Sequence, residues 1–480
     1  MQPVQQSLDF LAKLAADGPV AQLASAFADA GHELALVGGP VRDAFLGRAI
    51  TDLDFTTDAT PDQILAIVTP ISQAQWDVGR AFGTIAARID GESVEITTYR
   101  SDSYDGASRK PAVEFGDSLE GDLRRRDFTV NAMALRVPEL KLVDPSGGMD
   151  DLVAGILRTP GAPEVSFGDD PLRMLRAIRF SAQLGFTLEA ATAIAIAEMR
   201  ESIGIISIER VNDELSKLLK TDAPRRGVEL LVESGLAELV LPEVPALQLE
   251  SDEHHHHKDV YQHSLTVLDQ AIDLEKSRAA SGTSIASPDL VLRLAALLHD
   301  IGKPATKRNE PGGQVSFHHH DIVGAKLAKK RLRELRFDND TIAAVGRLIE
   351  LHLRFFGYTE GAWTDSAVRR YVRDAGDQLE RLHILTRADV TTRNRRKADQ
   401  LSFAYDDLEE RIAVLAAQEE IDSVRPDLDG SQIMALLGIG PGREVGQARA
   451  FLLELRLDEG PLPPEEAEAR LRAWWAERHP

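Results

Sequence analysis

Residues Leu34 to Thr57 read LALVGGPVRDAFLGRAITDLDFTT. The apolar run Leu34 to Val37 is expected to form a strand that enters Gly38 and Gly39, and Pro40 suits the first turn of a following helix. Two glycines let backbone approach a phosphate closely, and the amides at a helix N-terminus can hold it. Asp52 and Asp54 then follow. Residues two apart on a strand share a face, so these carboxylates converge beside the glycine turn. Two like charges so close are costly unless a cation lies between them, and hard oxygen donors suit Mg²⁺. A diglycine alone is a turn, and two acids alone are a solvated strand end; it is their succession that points to phosphate chemistry. Further on, Glu95 alternates with Val94 and Ile96 in VEITTYR, and a neighbouring strand there would bring a third carboxylate.

Working outward, the chain has 480 residues, enough for about three domains of roughly 150 residues each. Its 43% hydrophobic and 28% charged residues are those of a globular protein. With no cysteine, disulfides, thiolate metal sites and thiol nucleophiles are excluded, so a metal must sit on histidines and carboxylates. MQPVQQSLDFLAK has no basic run followed by an apolar stretch, and the apolar segment Leu290 to Ile301 is interrupted by Arg293 and Asp300. A soluble cytoplasmic protein without membrane contact is therefore expected. The net charge of −22 opposes a polyanion partner over the whole surface. Three basic clusters could reverse that locally: Arg124, Arg125 and Arg126; Lys326, Lys329, Lys330, Arg331, Arg333 and Arg336; and Arg393, Arg395, Arg396 and Lys397. Each is also readable as a solvated helix face.

Residues up to about 150 mix short apolar runs with glycine, aspartate and proline, the texture of an α+β unit. From about 155 to 245 the apolar spacing turns helical, without strand alternation. The stretch SDEHHHHKD marks a boundary, and helical periodicity then continues to the end. His254 to His257 could scavenge metal or simply belong to a solvated linker.

In FGDDPLRMLRAIRF, Asp170 precedes Pro171 and Arg173 follows. Aspartate before proline is a common helix start, and Arg173 could be solvated. Alternatively, an acceptor and a donor on one helix face can read a base edge: a carboxylate attracts the amines of cytosine and adenine and repels the oxygens of guanine and uracil, while arginine donates to the ring acceptors. Further on, LLHDIGKP sets His299 and Asp300 at the end of an apolar helix run, and more histidines follow at 318 to 320 and 352. Imidazole and carboxylate donors suit Mn, Ni, Fe or Zn, and such a centre can activate water for phosphoester hydrolysis.

The first motif, with DLRRRDFTVNAMA at Asp122 to Ala134 and GGMDDLVAGILR at Gly147 to Arg158, resembles the polymerase β-like nucleotidyltransferases, specifically class II tRNA CCA-adding enzymes and bacterial poly(A) polymerases. The resemblance implies catalytic carboxylates at Asp52, Asp54 and Glu95. It implies nucleotide contacts from Gly38, Gly39, Arg42, Asp43, Arg125, Arg126, Asp127 and Asn131, and from Asp170, Arg173 and Arg176 in the counterpart of the family's Glu-Asp-x-x-Arg motif. This chain departs from that motif with Asp169 in place of glutamate. Glu209 and Arg210 in ISIERVNDELSK match a further motif, read as scaffolding. His263, the His299–Asp300 pair and Asp389, in that order, resemble the HD domain, whose six-ligand pattern implies ligands at His263, His299, Asp300, one of His319 or His320, His352 and Asp389.

The implied architecture is α+β: a nucleotidyltransferase head with a small mixed sheet at 1–155, a helical base-selecting neck at 156–250, a helical HD domain at 258–400 and a helical tRNA-binding tail at 401–480. The implied activity is template-independent addition of CMP and AMP from CTP and ATP to tRNA 3′ ends with Mg²⁺, and HD phosphohydrolysis with a transition metal. VGRAFGTIAARI favours CCA addition over poly(A) synthesis. A reading of another class makes the chain an HD phosphohydrolase with an RNA-binding head.

Overall fold

The computed structural model describes residues 4–77, 79–103, 112–116, 118–249, 259–311, 315–355, 357–358, 363–392, 394–419 and 425–479. The strands up to residue 150 are β1 (Leu34–Val37), β2 (Leu53–Thr57), β3 (Ala74–Trp76), β4 (Thr84–Ile89), β5 (Glu92–Thr98), β6 (Arg100–Ser103), β7 (Ala112–Phe115), β8 (Ala134–Val137) and β9 (Lys141–Val143). Seven of them form one sheet in the order β3-β4-β5-β2-β1-β8-β9. Only the β2–β5 pair is parallel in this sheet, which makes it mixed, as expected. All four residues of β1 are buried, consistent with an unbroken apolar run in a central strand. Leu23, Phe27, Phe45, Ile64 and Val68, from the helices around the sheet, join the same apolar interior.

Beyond the sheet, the helices Leu172–Leu184, Ile208–Leu219 and Pro224–Glu233 pack together. Gly227 permits the close approach: a Cβ there would lie 2.2 Å from Leu218 Cδ1. Two pairs of strands stand against the expectation of helix alone, Ile156–Leu157 parallel to Thr187–Leu188 and Arg308–Asn309 antiparallel to Val315–Ser316. Two residues per strand are too few for a period of two to register in the sequence.

The chain divides into two compact units, Met1–Val240 and Leu241–Pro480. The division precedes the histidine-rich stretch because Pro245–Leu249 packs against the helix Val260–Ala280 and buries Leu247 completely. Within the second unit, that helix gathers with Leu290–Leu298, His320–Glu334, Asn339–Leu351 and Leu379–Ala388. Arg293, which interrupts an apolar run in the sequence, is buried against Glu275 at 2.9 Å. Glu275 also accepts from Ser287 Oγ and the Asp289 amide, and Asp289 in turn accepts from Arg381. One fully satisfied polar cluster thus ties three helices together. The last three helices, Gly430–Leu437, Arg443–Glu459 and Pro464–Arg478, share a separate core around Ile433, Leu452 and Leu471.

Candidate active site and metal centre

Strand register assembles the first site. Asp54 lies directly opposite Glu95 in the parallel β2–β5 pair, and Asp52 stands just before β2. Asp52 and Glu95 are exposed and Asp54 is partly buried. The Asp54 carboxyl is pushed up to about 6, chiefly by burial and then by the charge of Glu95, with Asp52 adding and Arg126 opposing. Crowded, hard oxygen donors whose ionisation is resisted fit a divalent cation. Gly38, at φ 71°, turns the chain from β1 into the helix Gly39–Leu46 in a conformation that favours glycine. A Cβ on Gly38 would lie 3.6 Å from an Arg126 nitrogen, so the diglycine turn and this arginine share one corner.

From that turn a polar chain runs through the unit. Arg42, almost fully buried, donates to both oxygens of Asp43 and to Asn131 Oδ1 at 2.6 Å. Asn131 donates to Asp127, whose other oxygen accepts from Arg176 at 2.6 and 2.9 Å. Burial pushes the Asp127 carboxyl up, but Arg176 and Asn131 outweigh it and hold it at about 2. Arg176 approaches Glu214 at 3.6 Å, and Glu214 pairs with Arg179 at 2.6 Å. Arg42, Asp43, Asp127, Asn131 and Arg176, five of the eleven expected nucleotide-contacting residues, therefore belong to one connected network.

Two anchors of this site were absent from the expectation. Asp122, fully buried, accepts from Arg125 and Arg126 at 2.7 and 3.1 Å, and also from Thr56 and the Arg100 amide. Its place three and four residues before those arginines on one helical turn was the available signal. Asp151, in the third motif, accepts from Thr129 at 2.6 Å and from Arg158, fixing the turn that presents Asn131.

Asp170 is held from two sides. One oxygen accepts from the Leu172 amide at 3.1 Å, a helix cap, and the other accepts from Arg210 at 2.8 Å. Arg210 therefore touches the candidate base reader directly. Arg173 is held in place, donating to Ser166 Oγ at 2.8 Å and to the Arg125 carbonyl at 2.7 Å. Asp169 ends the preceding helix, Pro163–Asp169.

In the second unit, helix ends deliver two groups of metal-type donors: His263, His299 and Asp389, and Asp300, His320 and His352. His299, His352 and Asp389 each cap the C-terminus of a helix. His263 Nε2 lies 2.9 Å from Asp389 and 3.6 Å from Asp300, and His320 Nε2 lies 3.3 Å from Asp300. The Nδ1 atoms of His299, His320 and His352 each face a backbone carbonyl, at 2.9, 2.8 and 2.6 Å, which turns Nε2 inward. The buried Nε2 of His352 has no hydrogen-bond partner. An orphaned imidazole nitrogen among carboxylates fits a transition metal. Burial alone would lower His299, yet Asp300 and Asp389 raise it to about 10; burial lowers His352 to about 4. Of the alternatives His319 and His320, His319 is exposed at a left-handed N-cap and belongs to neither group. His254 to His257 lie outside the described residues.

These two constellations define a nucleotidyltransferase head joined to an HD-type metal centre. Residues 34–158 match the family described as Poly A polymerase head domain, 185–247 the Probable RNA and SrmB- binding site of polymerase A, and 260–394 the HD domain. The chain is 36% identical over 450 residues to an A-adding tRNA nucleotidyltransferase of Deinococcus radiodurans, covering 92% of this chain and 95% of the relative. It therefore belongs to the tRNA nucleotidyltransferase and poly(A) polymerase family. The CCA-adding enzyme of Bacillus subtilis is 44% identical over 211 residues, which are 44% of this chain and 52% of that protein. The crystal structure of the Bacillus stearothermophilus CCA-adding enzyme in complex with CTP superposes with a TM-score of 0.69 at 24% identity, covering 100% of this chain and 99% of that one.

Proposed function

We propose that this chain is an enzyme that adds CMP and AMP, from CTP and ATP, to the 3′ end of tRNA without a nucleic-acid template. The observation that carries the reading is the Asp54–Glu95 strand register, with Asp52 adjoining and the Gly38–Gly39 turn at hand. The name of the Deinococcus relative, aligned over 92% of this chain, supports tRNA as substrate, and that of the Bacillus subtilis relative supports CCA addition.

Asp52, Asp54 and Glu95 would hold Mg²⁺, which when bound supplies activation of the attacking hydroxyl and neutralisation of the departing pyrophosphate. Arg125 and Arg126, splinted by Asp122, and the diglycine backbone hold the triphosphate. The Arg42, Asp43, Asn131 and Asp127 chain positions the ribose, and Arg176 joins it to the helix that carries the base reader. Asp170 accepts from the exocyclic amine of cytosine or adenine through the oxygen that Arg210 reaches, and Arg173 donates to the ring acceptors. The HD donors His263, His299, Asp300, His320, His352 and Asp389 would hold a transition metal for phosphoester hydrolysis. Among the described residues no helix is long and apolar enough to cross a membrane, and we assign the enzyme to the cytoplasm with its tRNA substrate. The parts act as head at 1–155, neck at 156–250, HD domain at 258–400 and tail at 401–480.

A second reading, addition of the terminal AMP alone, is favoured by the A-adding name of the Deinococcus relative, which aligns over 92% of this chain. One assay decides: tRNA transcripts ending before the first C, or after the second, are supplied with each NTP singly and in pairs and resolved to single nucleotides. Growth by three residues with CTP and ATP together is the expected result. Extension of only the CC-ended transcript selects the second reading, and long A-tails on either would overturn both.

A further inference from the structure

In two of the three basic clusters part of the charge is paired within the fold, while Arg124, Lys326 and Arg333 stay exposed. Arg125 and Arg126 are bound to Asp122. Lys330 and Arg331 pair with Glu334, and Arg331 also with Glu243. In the third, none of the described members is paired. Arg395, Arg396 and Lys397 open the helix Arg395–Glu419, are all exposed, and have no carboxylate partner among the described residues. The arginines around them are committed: Arg387 to Asp406 and Glu409, and Arg411 to Asp365. In a chain of net charge −22, two adjacent uncommitted guanidiniums are a deliberate exposure.

The same face carries Phe403, 73% exposed, more than any other large hydrophobic side chain among the described residues. Positions 395, 399 and 403 lie one helical turn apart, with 396 and 400 beside them. Arg395, Arg396, Asp399, Gln400 and Phe403 line one open depression. Asp399 is the one acid there; with Lys397 counted, the local balance is three positive charges against one negative.

We propose that this face is an RNA-docking surface, with Arg395 and Arg396 on backbone phosphates and an unpaired base stacked on Phe403. Planar guanidiniums match phosphate oxygens in pairs, and an exposed flat ring among cations gives a base both a stacking surface and a neutralised backbone. An acidic protein surface would be met by the charges alone and leave the phenyl ring without a use. The inference rests on the proposed function, because tRNA is the RNA that activity supplies, with unstacked bases in its loops and at its end.

The test compares wild type with Arg395→Glu/Arg396→Glu, Phe403→Ala and Phe403→Trp, each checked for folding by circular dichroism and melting temperature. Two readouts are used: affinity for a tRNA transcript lacking its 3′ end across a salt series, and nucleotide addition at saturating tRNA. The charge reversal is expected to weaken binding at least about tenfold and to reduce the log–log salt slope by about 0.7–0.9 for each lost phosphate. Phe403→Ala should weaken binding by roughly tenfold with the slope unchanged, Phe403→Trp should retain it, and turnover at saturation should persist in all. Unchanged affinity and slope in folded variants of an active enzyme overturn the proposal, including the case in which only self-association or binding to an acidic protein changes. If wild type binds tRNA through these residues but extends none, the proposed function fails and the docking surface stands. Failure of wild type to bind tRNA at all overturns both.

Discussion

In the first unit, three carboxylates meet because one parallel strand pair puts Asp54 opposite Glu95 and the turn before β2 adds Asp52. In the second, five helices must end or begin at one point before His263, His299, Asp300, His320, His352 and Asp389 can meet. The first is open, with two of its acids exposed, as access by a nucleoside triphosphate and a large second substrate demands. The second is nearly closed, with His299, Asp300 and His352 each no more than 1% exposed. Open acidic sites take hard cations with their substrates, whereas a closed imidazole and carboxylate site retains a metal of its own. The two should therefore fail independently.

The largest effect is expected from Asp54→Ala, which removes the carboxylate at the centre of the open site. Nucleotide addition should fall by about 10³-fold or more, corresponding to ~4 kcal/mol of lost transition-state stabilisation, with tRNA affinity kept. Asp300→Ala should leave addition within a few-fold while abolishing any metal-dependent phosphohydrolase activity. Parallel loss of both activities in either folded variant would break the comparison.

Next in size is base selection. Asp170→Asn retains the cap on the Leu172 amide, because asparagine caps about as well as aspartate, so the fold should hold. Its amide can donate where the carboxylate could only accept. Discrimination of CTP and ATP against UTP and GTP should relax by about 1–3 kcal/mol in relative kcat/KM. Unaltered discrimination would leave Asp170 a cap and move selection elsewhere.

The open site also carries a pH signature. Because the folded Asp54 carboxyl is raised to about 6, the native state holds a proton there that the unfolded chain releases near its ordinary value of 3.8. Its contribution to stability is present below that value and lost as pH rises through about 6. A divalent cation reverses the penalty by occupying the ionised site. The Mg²⁺-induced rise in Tm should therefore be larger at pH 7 than at pH 5, and Asp54→Asn should remove that difference. A pH-independent rise in wild type would place magnesium elsewhere.

How legible each centre was follows from the range of its contacts. β1 emerges from the sequence with its observed ends because four apolar residues meet a diglycine, and Glu95 follows from alternation once a neighbouring strand is supposed. Asp122 was missed because a buried acid and a solvated one look alike until the arginines it holds have closed around it. In the closed centre, choosing between His319 and His320 depended on a left-handed backbone at His319, which adjacent histidines in a sequence do not announce. The coupling of Asp170 to Arg210 spans 40 residues and two helices, beyond any local period.

The smallest effect is expected where the sequence suggested a larger one. From charge alone, reversal of Lys329 and Lys330 would flatten the salt dependence of tRNA binding. The structure assigns much of this cluster to internal use: Lys329 lies along the helix Asn339–Leu351, so close that a Cβ on Gly346 would meet its Cε at 2.1 Å, and Lys330 stands 3.9 Å from Glu334. An exposed ion pair of this kind is worth about 0–1 kcal/mol to stability. A phosphate approaching Lys330 must compete with the glutamate already beside it. Lys330→Glu alone should therefore change the slope of log affinity against log salt by less than one phosphate contact's worth, about 0.7–0.9, whereas Arg395→Glu/Arg396→Glu should change it by nearly two. Measured side by side on one tRNA, equal slope changes would mean that carboxylate pairing does not decide which basic residues are open to RNA.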